Sequence, residues 1–138
     1  MNPPTMDSTD NDRPLRVLYS FPHKIGAGGV CYAAWQHVKH LSDAGAEMTV
    51  FPGVVQRPLP FGIRVKPTLA KGKFRIPYKV LGRMGACRFH DWVVARRVRE
   101  MSNQIVLVEG FALGSLETFK VGRELGIPTV LEGCNAHT

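Results

Sequence analysis

Gly26-Ala-Gly-Gly29 is a glycine loop set between an apolar run and an amphipathic pattern. Glycines at such a place let backbone N–H groups approach an anion, and the N-terminus of a following helix favours negative charge. The spacing is neither G-x-G-x-x-G nor G-x-x-x-x-G-K-[ST], so dinucleotide and P-loop chemistry are not indicated. A tight turn asks for the same glycines, and the loop alone does not separate turn from phosphate contact. Lys24 adds a positive charge to it. Glu109 follows the apolar run Gln104-Ile-Val-Leu-Val108 and precedes a helical pattern, the position of a catalytic or substrate-binding carboxylate. A carboxylate meeting a helix dipole would sit there too. Glu132, Asn135, His137 and Thr138 gather after the last apolar run as a second polar cluster. His37 and His40 are spaced i, i+3 without a third ligand, so no metal is assigned. Cys31, Cys87 and Cys134 lack C-x-x-C spacing, which argues against structural zinc and for a reducing compartment.

Charge is concentrated. The net charge is +7, yet the segment from Arg57 to Arg99 holds twelve basic residues against one acid, Asp91. This segment, 57–99, is the candidate for contact with an anionic surface, a peripheral membrane included, with Leu81, Phe89 and Trp92 interleaved. Lys79, Arg83, His90 and Arg97 share one helical face in that reading. Asp91 is expected to partner an arginine. Nucleic acid is not expected, since charge is the only feature in its favour.

The elements that must position these groups follow from pattern. Arg16 to Phe21 reads as a buried strand ending at Pro22, with irregular chain from Pro22 to Gly29. Val30, Ala33, Ala34, His37, Val38, Leu41 and Ala44 form one helical face, closed by Gly45. Glu47 to Phe51 is a second strand closed by Pro52-Gly53, and Ile63 to Lys66 a short third. A long helix is expected from Ile76 or Pro77 to Met101, with Val80, Met84, Cys87, Val94, Ala95 and Val98 as its core stripe. Gln104 to Val108 is the fourth strand, Ala112 to Leu125 a helix capped by Gly126, and Ile127 to Leu131 the last strand. Continuous apolar strands alternating with helices predict an α/β fold: a single Rossmann-like three-layer sandwich with a mainly parallel sheet.

A length of 138 residues fits one domain. Residues 1–14 are polar and acidic and read as a disordered tail, without the basic and apolar regions of a secretory signal. No apolar run approaches the ~20 residues of a membrane span. The expected location is the cytoplasm, with contact at a membrane surface.

The run Val17-Leu-Tyr-Ser-Phe-Pro-His, the Gly26–Gly29 loop, Phe111-Ala-Leu-Gly-Ser115 and Leu131-Glu-x-x-Asn-Ala-His-Thr138 together resemble the N-terminal half of family 4 (group 1) glycosyltransferases. The resemblance spans residues 15–138. It implies the GT-B architecture of two Rossmann-like domains facing a cleft, and sugar transfer with retention from a nucleotide-sugar donor to a glycan or other acceptor. No cofactor or metal is implied. It sets Gly26, Gly28 and Gly29 toward the donor phosphates and Asn135 and His137 at the substrate, with Glu109 standing at the family's histidine as the catalytic candidate. The family often reads Asp-x-x-His-Gly at the fourth strand end, where this chain has Val106-Leu-Val-Glu109-Gly110. It often reads Glu-Arg-Pro-Asn after the fifth, where this chain has Glu132-Gly-Cys-Asn135. The C-terminal donor domain is absent from the sequence, so the half is expected to be inactive alone. The alternative is a non-catalytic basic module that docks on anionic membrane or on a separate C-terminal half.

Overall fold

A computed structural model describes residues 15–71, 74–76 and 78–132. The expected tail at 1–14 and the candidates Asn135 and His137 lie outside them. Strand β1 (Arg16–Ile25) leads through the glycine loop into helix α1 (Val30–Asp43). Then follow β2 (Glu47–Val55), β3 (Arg64–Val65) and a small hairpin of β4 (Ala70–Lys71) and β5 (Phe74–Arg75). Helix α2 (Tyr78–Glu100), β6 (Leu107–Phe111), α3 (Leu116–Glu124) and β7 (Thr129–Glu132) complete the order. Five strands form one all-parallel sheet in the order β3-β2-β1-β6-β7, so the fold is the expected Rossmann-like α/β sandwich.

Alternation along β1 divides the core. Val17, Tyr19 and Phe21 pack on one face with Ala34 and Val38 of α1 and with Met48 and Val50 of β2. Leu18 faces the other way, toward Val94, Ala95 and Val98 of α2 and Val121 of α3. Tyr19, Phe21 and Leu18 are fully buried, each worth about 1.5–3 kcal/mol relative to exposure.

The strands run further than proline and glycine suggested. Both β1 and β2 continue past Pro22 and Pro52. Phe21 pairs with Pro52 and Lys24 with Val54, so Pro22 and His23 together oppose Gly53 in a β-bulge. A Cβ on Gly53 would stand 2.5 Å from the Pro22 carbonyl oxygen, which is why the close crossing needs glycine. Glu109 and Gly110 likewise lie inside β6 rather than after it.

Helix α2 differs from its expected form in three ways. Gly82 adopts φ 73°, ψ 166° and interrupts it. Of the expected stripe, Cys87, Val94, Ala95 and Val98 are buried, but Met84 is exposed. His90 is buried rather than on the basic face. Asp91 is buried as expected, but its partner is not an arginine. It accepts the N–H groups of Glu117 and Thr118, at 2.7 and 2.8 Å, and the Thr118 hydroxyl at 2.7 Å. It is thus a carboxylate cap for α3, supplied from another helix. Asp91→Ala strips that cap and leaves buried N–H groups unmatched, so urea unfolding should show a loss of about 2–3 kcal/mol, with Asp91→Asn losing less.

Candidate functional site

In open parallel sheets ligands sit beyond the C-terminal strand ends where the strand order reverses. Here that point lies between β1 and β6. An open hollow of about 720 Å³ occupies it, lined by His23 and Lys24 from β1, Val30 and Cys31 from the start of α1, Arg83 from α2, Phe111 at the end of β6 and Leu113 beyond it. Lys24 and Arg83 make it cationic. Helix α1 begins beside it at Gly29, with no side chain capping its first turn and no acid within it. The start of α1 and two cations therefore meet on one concave surface, a charge match for a phosphate or carboxylate. The His23 ring stands edge-on to Phe21 and Phe111. Burial and then the Arg83 charge push its pKa down. Burial pushes the Cys31 thiol up, against the opposing pull of Lys24, so Cys31 is not an activated thiolate.

The glycine loop also lines a shallower hollow of about 540 Å³ with Tyr32, Gln56, Arg57 and Pro58. Its glycines serve different ends. A Cβ on Gly26 would meet the Arg57 Cβ at 2.4 Å, while Gly29 starts α1 at φ 63°. Gly28 has open space around it. The Arg57 guanidinium lies over the rings of Tyr32 and Trp35, at 5.1 and 5.6 Å from their centroids, which fixes a cation at the loop's outer edge.

Beneath the first hollow a buried network ties α2 to β1. His90 is fully buried, with Nε2 2.7 Å from Ser20 Oγ and Nδ1 2.6 Å from Thr68 Oγ1. One nitrogen donates and the other accepts, as a neutral imidazole requires. Burial, with a smaller contribution from His23, pushes its pKa down to about 3. The trio resembles a nucleophile and base, but Ser20 has no exposed surface and no route to substrate.

On the α1 face of the sheet, His37 Nε2 lies 2.7 Å from Glu109 Oε2. The Tyr19 hydroxyl donates to Glu132 Oε1 from across β6. Glu109 is 7% exposed, while His37 and Glu132 are half-buried. The hydrogen bond to Glu109 raises the His37 pKa against the effect of burial. Burial, then Glu132, raises that of Tyr19.

Of the expected site residues, Gly26, Gly28 and Gly29 do form a loop at the ligand end of the sheet. Glu109 is at the same end of β6, but its carboxylate lies beneath α1 and is engaged by His37. Arg57, Arg83 and His23 complete the two hollows, and none was singled out for a site from sequence. Basic charge was their signal, and only the fold selects these members of the cluster. His40 does not join His37; the two groups gathered beside His37 are Glu109 of β6 and Glu132 of β7.

Neither a protein-family model nor a curated protein sequence matches the chain. Among solved structures it resembles two crystal structures of the C-terminal domain of a hydrogenase from Pyrococcus furiosus, covering residues 78–226 and 83–215. Identity is 15% and 14%, with TM-scores of 0.52 and 0.51, over 86% of this chain and 91% of each of those chains. At this identity the likeness concerns the fold alone.

The His90 and His37 environments have opposite pH signs. The His90 pKa lies below its unfolded value, so its environment is fully stabilising above about pH 6.5 and loses that stability as pH falls toward about 3. The His37 pKa is raised, so its pairing contributes below the ordinary value and is lost as pH rises through the raised one. Between about pH 6.5 and about pH 4.5, urea unfolding should show the wild-type chain losing about 2–3 kcal/mol more than a His90→Gln variant. Equal slopes would show that His90 is not held neutral.

Proposed function

We propose that the chain is the acceptor-side, N-terminal half of a retaining glycosyltransferase, binding the phosphates of a nucleotide-sugar donor at its strand ends and turning nothing over alone. The observation that carries this reading is the cationic hollow at the β1–β6 reversal point, where Lys24, Arg83 and the uncapped start of α1 converge. A diphosphate matches that surface in charge, and in the adjoining hollow the exposed Gly28 leaves the loop backbone open to close approach. The apolar wall of Phe111 and Leu113 would sit against a sugar or nucleoside. In this reading the acceptor and the second Rossmann-like half would occupy the open side of the same strand ends. Glu109, buried and engaged with His37, suits a positioning part beneath α1 better than direct contact with the donor.

Calorimetry with nucleoside diphosphates tests the assignment. Binding should weaken with salt, and Lys24→Ala or Arg83→Ala should each cost about fivefold, or about 1 kcal/mol, for a half-exposed charge-assisted bond. Unchanged binding by the double variant would overturn the site. Sugar transfer at enzyme-like rates by the 138-residue chain would overturn the need for a second half.

A second reading, docking on anionic membrane, is favoured by one surface. Met84, Arg88, Trp92, Arg96 and Arg99 recur at helical spacing on the exposed side of α2. Trp92 is 51% exposed, with the Arg96 guanidinium 5.0 Å from its ring centroid. An aromatic wedge flanked by arginines suits the headgroup region of an acidic bilayer. No helix among the described residues is long and apolar enough to cross a membrane. Sedimentation with phosphatidylserine vesicles should show binding that falls at high salt and on Trp92→Ala. Indifference to lipid charge and to that substitution would remove the reading.

A further inference from the structure

The cluster of His37, Glu109 and Glu132 does not belong to the phosphate-binding surface and shares no residue with it. Three elements build it. His37 comes from α1, Glu109 from β6 and Glu132 from β7. Parallel register fixes the two carboxylates on one face. Glu109 pairs with Val130 and Phe111 with Glu132, so the glutamates stand two residues apart on neighbouring strands and point the same way. The His37 ring nitrogen and one oxygen of each carboxylate all lie within 4.8 Å of one another.

The charges do not balance among the described residues. Two carboxylates share a partly buried position, and their partners among the described residues are one imidazole, on Glu109, and one neutral phenol, on Glu132. No lysine or arginine of the described residues pairs with either. Like charges so placed repel strongly where water is thin, and a divalent cation relieves both at once. The donor set selects the class of ion. Calcium and magnesium prefer all-oxygen cages. One imidazole nitrogen with two carboxylate oxygens suits zinc and its first-row neighbours, whose sites take three protein ligands and keep a position open. Half-exposed His37 and Glu132 leave that open side toward solvent. The Tyr19 hydroxyl bonded to Glu132 supplies the outer-shell contact that orients a ligating carboxylate.

We propose that His37, Glu109 and Glu132 form a three-ligand site for a zinc-class divalent metal ion, with at least one coordination position open to water or substrate. On binding, the proton between His37 Nε2 and Glu109 is released to water, and both atoms turn to the metal. No residue of the cationic hollow enters this site; it shares only Glu109 with the glycosyltransferase reading.

The test is titration of the full chain with Zn2+ by calorimetry and with Co2+ by visible absorption. Binding should be one to one, with d–d bands and no thiolate-to-cobalt charge transfer. Glu132→Gln, at a half-buried strand end, and His37→Gln should each weaken Zn2+ binding at least about tenfold. His40→Gln, exposed on the same helix, should leave it unchanged. Thermal melts of each variant show that it is folded, and Glu132→Gln decides if His37→Gln is not. Absence of binding at millimolar Zn2+, a thiolate band, or unchanged affinity in the folded variants would overturn the site. Nucleoside-diphosphate binding by the same variants should persist, so failure of one assignment is distinguishable from failure of the other.

Discussion

Strand β1 is hydrogen-bonded along both edges and packed on both faces, and that double burial constrains everything around it. Each polar group it carries inward needs a partner from elsewhere in the fold. Ser20 finds His90 of α2, and Tyr19 reaches Glu132 of β7. Between the exposed Arg16 at its start and the bulge at Pro22 and His23 the strand is buried, and beyond the bulge Lys24 is exposed while Ile25 returns to the core. The bulge is the transition. It adds a residue against Gly53 and extends the chain into the glycine loop with Lys24 at the rim.

Three histidines show how one fold assigns three electrostatic states. His90 is biased toward its neutral form by burial, and two hydroxyls occupy its ring nitrogens. His23 is biased toward neutrality by burial and by Arg83, which leaves the nearby cationic hollow to Lys24 and Arg83. His37 is biased toward its charged form because it faces a carboxylate. The sheet separates these environments. The positive one opens beyond the strand ends, and the negative one lies on the α1 face.

Much of the fold was legible because parallel strands are buried on both faces and read as unbroken apolar runs. Arg16–Phe21, Glu47–Phe51 and the helix at Val30 emerged from that signal directly. Boundaries failed where a residue obeyed a local rule that a partner strand relaxed. Pro22 and Pro52 look like terminators, yet the bulge puts them where the strand can continue. Glu109 looks like a strand end because it is charged, yet His37 makes its burial tolerable. Asp91 was visibly misplaced in an apolar stripe, but its partners, the N–H groups of Glu117 and Thr118, lie 26 and 27 positions away and leave no periodic trace. The glycine loop was legible from its composition as the irregular connection between β1 and α1. The metal-type cluster was not, because its ligands are close only across β6 and β7.

The strand order has a kinetic consequence. Val17 of β1 pairs with Leu107 of β6, ninety positions later, and between them lie β2, β3, the small hairpin and all of α2. Closing so long a stretch of chain is entropically costly before any contact rewards it. The β1–α1–β2 unit needs only local closure, so it can form first with one edge of its central strand still bare. That bare edge is where the cationic hollow and the carboxylate pair are later assembled. Both sites are thus products of the last large-scale closure, and a nascent chain that has made α1 but not yet α2 presents an apolar strand edge to its surroundings in place of a binding surface.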